Sequence, residues 1–418
     1  MYFVHPQIKF NIQNLIKLSL CFIKKPDKKA LENLKRIFPK KEIYLTDMGR
    51  SAFKLIVENL NLQNSEMLMP AFICDIFYKI LKDYNITPLF LDIEKDTFNI
   101  SPQLIEEKIS PKTKSILVCH TYGLPADLEK ILALAKKHNL LVIEDCAHTL
   151  GAKYNEKLTG MFGDASFFSV YKVFPSLRGG IAIINNQKST LRQSSGLMLS
   201  KVEASKINPS TKLRVDAEQG RSIKNQKYLL KTHFNFRDFI SLLNCFSFFS
   251  FLFKKFAGEI APKYTRKEKL EKPSQLNRVS LNIFSWQLEN LESILQKRKK
   301  LGLFFQAQLK KIGFEVQAKE NNIFTFLSAL CPKNIDRDKL VIALRKKMVF
   351  ALRIWREPII LNQKVQQQYN INPDEFPSTK EAAKRIINLP LQNFYTKKDI
   401  KKMIKIIRET VKVIGEKD

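Results

Sequence analysis

Lys172 lies in "FFSVYKVFPSLRGG", residues 167–180, between Ser169 and the Gly179-Gly180 pair. A lysine in that setting can be a surface charge or an amine used for covalent catalysis. Other groups with chemical potential lie upstream. "GRS" at 49–51 opens a helical run after a strand-like one, and the free N–H groups of a helix start suit a phosphate. "HTYGLPADL" puts His120 and Tyr122 at a strand end. "IEDCAH" puts Asp145 and His148 at the mouth of an apolar strand. An acid there needs a partner, because burying an unpaired charge is costly, and a protonated ring nitrogen would supply a charge-assisted hydrogen bond. Each group alone has a plainer explanation, since most strand–helix turns bind nothing and a lone His is more often structural.

Positioning these groups requires strands and helices in alternation. "EIYLT" reads as a strand leading into the helix "DMGRSAFKLIVENL", with Ala52, Leu55, Ile56 and Leu60 at helical spacing. "EMLMP" and "TPLFLDI" read as strands around the helix "CDIFYKILKDYN". "TKSILVCHTYG" follows as a strand and loop, "LEKILALAKKHN" as a helix, and "LLVIEDCAH", "ASFFSVY" and "GGIAIIN" as further strands. Nearly continuous apolar strands alternating with helices predict an α/β fold with a mostly parallel sheet covered on both faces. Ligands bind such sheets at the carboxyl ends of the strands, where His120, Asp145 and His148 fall.

Residues 28–38 read as helix stopped by Pro39, one long helix is expected over 280–311, and "NIFTFLSAL" and "MVFALRI" read as short strands. "STKEAAKRIIN" and "TKKDIKKMIKIIRETVKVI" close the chain as helices. The expected organisation is an N-terminal helical segment at 1–40, a large domain at 41–275 with a basic, Phe-rich insertion at about 187–275, and a smaller C-terminal α+β domain at 276–418.

The chain has 418 residues, 44% of them hydrophobic, which allows a sizeable core in two or three domains. Its formal charge of +31 would attract polyanions. The lysines are spread along the chain without interleaved aromatics or a nucleic-acid-binding motif, so no nucleic acid partner is expected. Cys21, Cys74, Cys119, Cys146, Cys245 and Cys331 form no CxxC pair or zinc spacing, so reduced thiols, a cytoplasmic protein and no metal are expected. Lys and Asn interrupt the apolar residues of "MYFVHPQIKFNIQNLIKLSLCFIKK", which does not read as a secretory leader. The charge-free "FISLLNCFSFFSFLF", 239–253, is too short to span a bilayer; it can be a buried helix, a dimer surface or a peripheral membrane contact.

Taken in order, the motifs supply a phosphate cradle, a carboxylate for a ring nitrogen, a ring-flanking group and an amine. Pyridoxal 5'-phosphate chemistry calls for that set. The sequence resembles the DegT-type sugar aminotransferases, pyridoxal-phosphate enzymes of fold type I, from about residue 42 to 410. The matching stretches are "GRSAF", "LFLDIEKDTFNI", "HTYGLPADLEKI", "VIEDCAHTLGAKYNEKLTGMFGDASFFS", "GGIAIINN" and "INLPLQNFYTKKDI".

The resemblance implies that Lys172 is the covalent anchor and the proton-moving base, that Asp145 binds the pyridine nitrogen and that His148 lies near the ring hydroxyl. It also implies phosphate contacts from Arg50, Ser51 and Ser169, with Asn277 reaching the neighbouring subunit's phosphate in a homodimer. The reaction it implies moves an amino group from an amino acid, glutamate for preference, to a keto group of a nucleotide-activated sugar, in cell-surface polysaccharide or lipopolysaccharide synthesis. A sugar dehydratase-like or catalytically degenerate relative with an interaction role is the alternative.

Three features depart from the family pattern. The lysine follows Ser169 by three residues where five is usual. Counting forward from Ser169 puts Phe174 at the anchor position, and counting back from Gly179 selects Lys172. Cys74 aligns with the aromatic that stacks on the ring, leaving Phe72 as a possible substitute. Asn277 is offset from the usual spacing to Arg278.

Overall fold

The apolar runs of the N-terminal half become a seven-stranded sheet ordered Glu42–Thr46, Gly180–Ile184, Ala165–Ser169, Leu141–Asp145, Thr113–Cys119, Glu66–Pro70, Thr87–Leu91. Only Gly180–Ile184 runs against the rest, antiparallel to both of its neighbours. This computed structural model describes residues 2–27, 29–185, 273–317 and 321–416, with 233–234, 238–239, 242–243 and 245. Most of the expected insertion at 187–275, including most of the 239–253 stretch, lies outside the described residues.

Alternation along each strand sorts the side chains into two layers. Met67, Met69, Leu117, Cys119 and Ile143 pack under the helices Gly49–Asn59 and Ile76–Asp83. Leu68, Ile116, Val118 and Val142 pack under the helix Leu128–Lys137 on the other face. Near the sheet edge, Ile43, Phe168, Ile181 and Ile183 are covered by the helices Lys29–Ile37 and Arg278–Leu288. Both faces are therefore buried, as continuous apolar strands require.

The C-terminal domain has its own core of Leu301, Phe305, Leu327, Leu340, Leu344, Ile387, Met403 and Ile407 around a three-stranded antiparallel sheet. Four expectations change here. The long helix is two, Arg278–Leu288 and Leu291–Lys310: Asn290 turns its side chain back to the Trp286 carbonyl, a local bond that competes with helix continuation. "STKEAAKRIIN" is helical only over Pro377–Arg385, because Ile386–Leu389 turns extended and pairs with Leu327–Leu330, where β-branched side chains pack well. Within "MVFALRI" only Val349–Phe350 is a strand, and its partner is Tyr2–Phe3. The first residues thus leave the expected helical segment and bind the C-terminal domain, with Gln7 and Gln392 also hydrogen-bonded.

The Gly179-Gly180 pair seats the lysine loop. Gly179 takes φ +145, a conformation L side chains rarely adopt, and donates to the Asp47 carbonyl (2.8 Å). A Cβ on Gly180 would overlap the Met48 carbonyl oxygen at the start of the Gly49–Asn59 helix. Gly180→Ala should therefore cost about 3 kcal/mol, read as a lower urea midpoint, while Ala182→Gly in the same strand should cost only about 1 kcal/mol.

Candidate active site

Asp145 and Glu144 are consecutive residues at the carboxyl end of the central strand, so they point to opposite faces. Both are buried, and they meet different fates. Glu144 accepts the backbone N–H groups of Gly160 (2.7 Å), Phe162 (2.8 Å) and Gly163 (2.7 Å), and its Oε2 meets His120 Nε2 at 3.1 Å. His120 Nδ1 accepts the Ala126 N–H, so its hydrogen lies on Nε2 and is donated to Glu144. Burial raises the Glu144 carboxyl, but the His120 bond and then the backbone donors outweigh it and hold the group below its usual range. Cys146 approaches this pair as well, yet Glu144 is already saturated with donors, which marks a structural clamp on the Gly-rich turn. His120, at the expected strand end, belongs to that clamp.

On the other face the Asp145 carboxyl accepts the Ala147 N–H at 2.9 Å and a hydrogen bond from the Cys119 thiol. Burial holds it above the usual range; Lys172 and that N–H pull it partway back. His148 is fully buried. Its Nδ1 accepts the Tyr122 N–H (3.2 Å), and its Nε2 lies 3.1 Å from Lys172 Nζ. Burial, and then Lys172, keep the imidazole well below its usual range and so neutral. With Nδ1 an acceptor, the ring hydrogen lies on Nε2, the nitrogen nearest the Lys172 side chain.

Lys172 reaches this point from a single helical turn, Val170–Val173, that begins directly after Ser169. The turn is held at both ends: Val170 N–H to the Gly179 carbonyl (2.9 Å), and the Val173 carbonyl to the Arg298 guanidinium (3.1 Å). The tight turn thus brings Lys172 beside His148 at the shortened Ser169–Lys172 spacing.

The helix start at Gly49 abuts Ser169: a Cβ on Gly49 would sit 3.3 Å from both the Phe168 carbonyl oxygen and the Ser169 Cβ, so the bare glycine lets the helix start pack close against the strand end. Arg50 is half-buried at the first turn. Ser51 is buried and donates its hydroxyl to Asp47 (2.6 Å), so that hydrogen is not offered to a phosphate. Burial raises the Asp47 carboxyl, against Ser51, Arg178 and Arg50, which lower it. Asn277 is bonded within its own chain. It caps the Arg278–Leu288 helix through the Ser280 N–H (2.9 Å) and donates to Asp238 (3.2 Å), which also pairs with Arg178. Both ends of the Asn277 amide are therefore used within its own chain.

Phe72 is wholly buried in the core between the domains, and Cys74 is half-buried. The aromatic wall around His148 is Tyr122 stacked at 5.8 Å, Phe326 edge-on at 5.1 Å and Trp355 tilted at 5.1 Å. Trp355 and Phe326 come from the C-terminal domain, some 200 positions beyond His148. No local motif marks them, and Trp355 being one of two tryptophans is the only hint the sequence holds.

Residues 32–197 and 254–408 match the family model of the DegT/DnrJ/EryC1/StrS aminotransferase family, and the chain belongs to that family. It is similar to the GDP-perosamine synthase of Escherichia coli O157:H7, 39% identical over 127 residues, which are 30% of this chain and 35% of that one. The chain thus spans about a third of the length of that curated relative. Its fold is shared with the aminotransferase Helicobacter pylori PseC, involved in the biosynthesis of pseudoaminic acid, at TM-score 0.73 and 18% identity over 99% of this chain and 100% of that one. The PLP form of a putative sugar aminotransferase, Spr1654 from Streptococcus pneumoniae, also gives TM-score 0.73, at 16% identity and the same coverage. The architecture is that of pyridoxal-phosphate fold type I.

The clamp has a measurable cost of removal. Glu144→Gln should lower stability by about 3 kcal/mol in urea unfolding, since it leaves His120 and the turn N–H groups with a neutral, poorer partner. Because the folded carboxyl titrates below the unfolded one, the stabilisation is present above the unfolded pKa and fades as pH falls through the folded one. The gap between wild type and variant should therefore close on the acid side, below pH ~4.

Proposed function

We propose that this protein is a pyridoxal-phosphate-dependent aminotransferase that moves an amino group from an amino acid, with glutamate as donor, to a keto group of a nucleotide-activated sugar for cell-surface polysaccharide synthesis. The observation that carries the reading is the Lys172 amine held 3.1 Å from a neutral His148, on the face of the sheet that also bears Asp145. The donor set fits the cofactor. Asp145 is a buried carboxyl raised by desolvation, so a cationic ring N–H would relieve it. Gly49 brings a helix start, where an anion is favoured, close against Ser169.

When bound, pyridoxal phosphate supplies an electron sink for the carbon that carries the amine. In this reading Asp145 holds the ring nitrogen protonated, and His148 flanks the ring with its tautomer set by Tyr122. The phosphate rests on the N–H groups at Gly49 and Arg50, the Arg50 side chain and the Ser169 hydroxyl. Lys172 anchors the cofactor and then carries the proton between donor carbon and cofactor as general base and acid. Tyr122, Phe326 and Trp355 keep water from the His148 side. The charge of +31 suits a diphosphate-bearing acceptor. A homodimer and a cytoplasmic location belong to the same proposal; no helix among the described residues is long and apolar enough to cross a membrane.

The test is an absorbance spectrum of wild type and Lys172→Ala with pyridoxal phosphate, followed by borohydride reduction and peptide mapping. The pyridoxyl label should map to Lys172, and Lys172→Ala should lose at least ~10³-fold in glutamate turnover. Cofactor bound without a label on Lys172 would favour the dehydratase-like alternative. No cofactor binding at all would end the enzyme reading.

A further inference from the structure

The helix Ile12–Ile23 has two apolar faces, and the protein covers only one. Leu18 and Cys21 are buried against Ile8, Val279, Ile283, Leu242 and Cys245. At 100° per residue, Ile12, Leu15, Ile16, Leu20 and Ile23 fall in a different arc about 140° wide, with Ser19 its one polar member. All five are exposed, Ile12 at 74% and Ile23 at 76%, and Phe10 just before the helix is 69% exposed. Six of the ten large exposed hydrophobic side chains found among the described residues thus lie in this one stretch. Phe239, beside Leu242 and Cys245, adds another exposed ring.

The charge around this face is mainly positive, with Asp27 beyond the helix end accepting the Ser285 hydroxyl. Residues 1–26 contain Lys9, Lys17, Lys24 and Lys25 and no Asp or Glu. Asn14 and Lys17 border a cavity of about 670 Å³, which Lys9, Lys297, Lys300 and Arg298 also line. None of the described residues lining it is acidic. Arg298 Nε and Nη1 have no hydrogen-bond partner among the described residues. A two-fold contact of this face with a second copy would set lysine against lysine. An anionic headgroup layer is the complementary surface, with lysines on the phosphates and the isoleucines below them. Twelve residues make a helix of about 18 Å, too short to span the ~30 Å hydrocarbon layer but suited to lying in its interface.

We propose that the Ile12–Ile23 helix is an interfacial anchor that docks the protein on an anionic lipid bilayer. The inference stands apart from the aminotransferase reading. It is tested by co-flotation of the full chain with vesicles of phosphatidylcholine alone, or with about a third phosphatidylglycerol. The wild type should bind the anionic vesicles, and bind the neutral ones at least ~10-fold more weakly. Replacing Ile12, Ile16 and Ile23 together by Ser should weaken anionic binding at least ~10-fold with an unchanged thermal midpoint, because all three are exposed. If that variant melts early, Lys9→Gln with Lys17→Gln carries the test, and must weaken binding and flatten its salt dependence. The proposal is overturned if the wild type ignores anionic vesicles or if the folded triple variant binds as well as wild type. A fall in mass by light scattering in the triple variant also overturns it, since the face would then be buried against a second copy.

Discussion

An under-satisfied buried carboxyl is costly, and Asp145 is the one on which this molecule depends. The central strand delivers two adjacent acids to its carboxyl end, and pleating sends them to opposite faces. Glu144 is spent on architecture: it ties His120 and the Gly160–Gly163 turn, and so fixes where the Ala165–Ser169 strand begins. Asp145 is left with the Ala147 N–H and the Cys119 thiol as donors and a desolvated carboxyl, a state that a cationic partner relieves. The same buried sheet that makes the clamp strong makes the sparsely bonded acid expensive, which is the arrangement expected of a group kept for a ligand.

The lysine reaches that acid through a second constraint, the seating of its loop. The Val170–Val173 turn is bracketed by backbone bonds to Gly179 and Arg298, and the loop ends where Gly179 and Gly180 lie flat against Asp47 and Met48. Those two residues also form the approach to the Gly49 helix start. Lysine loop and helix start are thus built on one another, and Arg178, paired with Asp238 and near Asp47, ties Asn277 into the same corner. A loop two residues shorter than the family pattern fits because a helical turn rises only ~1.5 Å per residue, bringing the third residue after Ser169 back beside the strand end.

Much of this was legible in the sequence because it is local. Continuous apolar runs marked the central strands, and the order of "GRS", "IEDCAH" and the lysine loop marked the strand ends that converge. What was not legible is set by distant contacts. Ile386–Leu389 looks helical in its own window and is a strand because Leu327–Leu330 lies beside it. Tyr2–Phe3 is a strand only because Val349–Phe350 is present. Trp355, not Phe72 or Cys74, supplies an aromatic face beside His148, and it comes from a turn in the other domain. Ser51 and Asn277 have the residue types a phosphate site wants, but Asp47 and Asp238, which claim their hydrogens, are visible only in three dimensions.

The N-terminal stretch shows the same logic at the surface. Its start is fixed: Tyr2–Phe3 pairs with the C-terminal domain, Gln7 bonds Gln392, and the Ile8 N–H meets the Cys245 carbonyl at 2.8 Å. The helix that follows is therefore presented at a set orientation with its apolar arc outward. Exposed isoleucines in a row would normally drive self-association. Here the lysines beside them disfavour pairing of this face with itself while leaving contact with a polyanionic surface favourable. Apolar arc and cationic rim together discriminate between partners by charge, which an apolar patch alone cannot do.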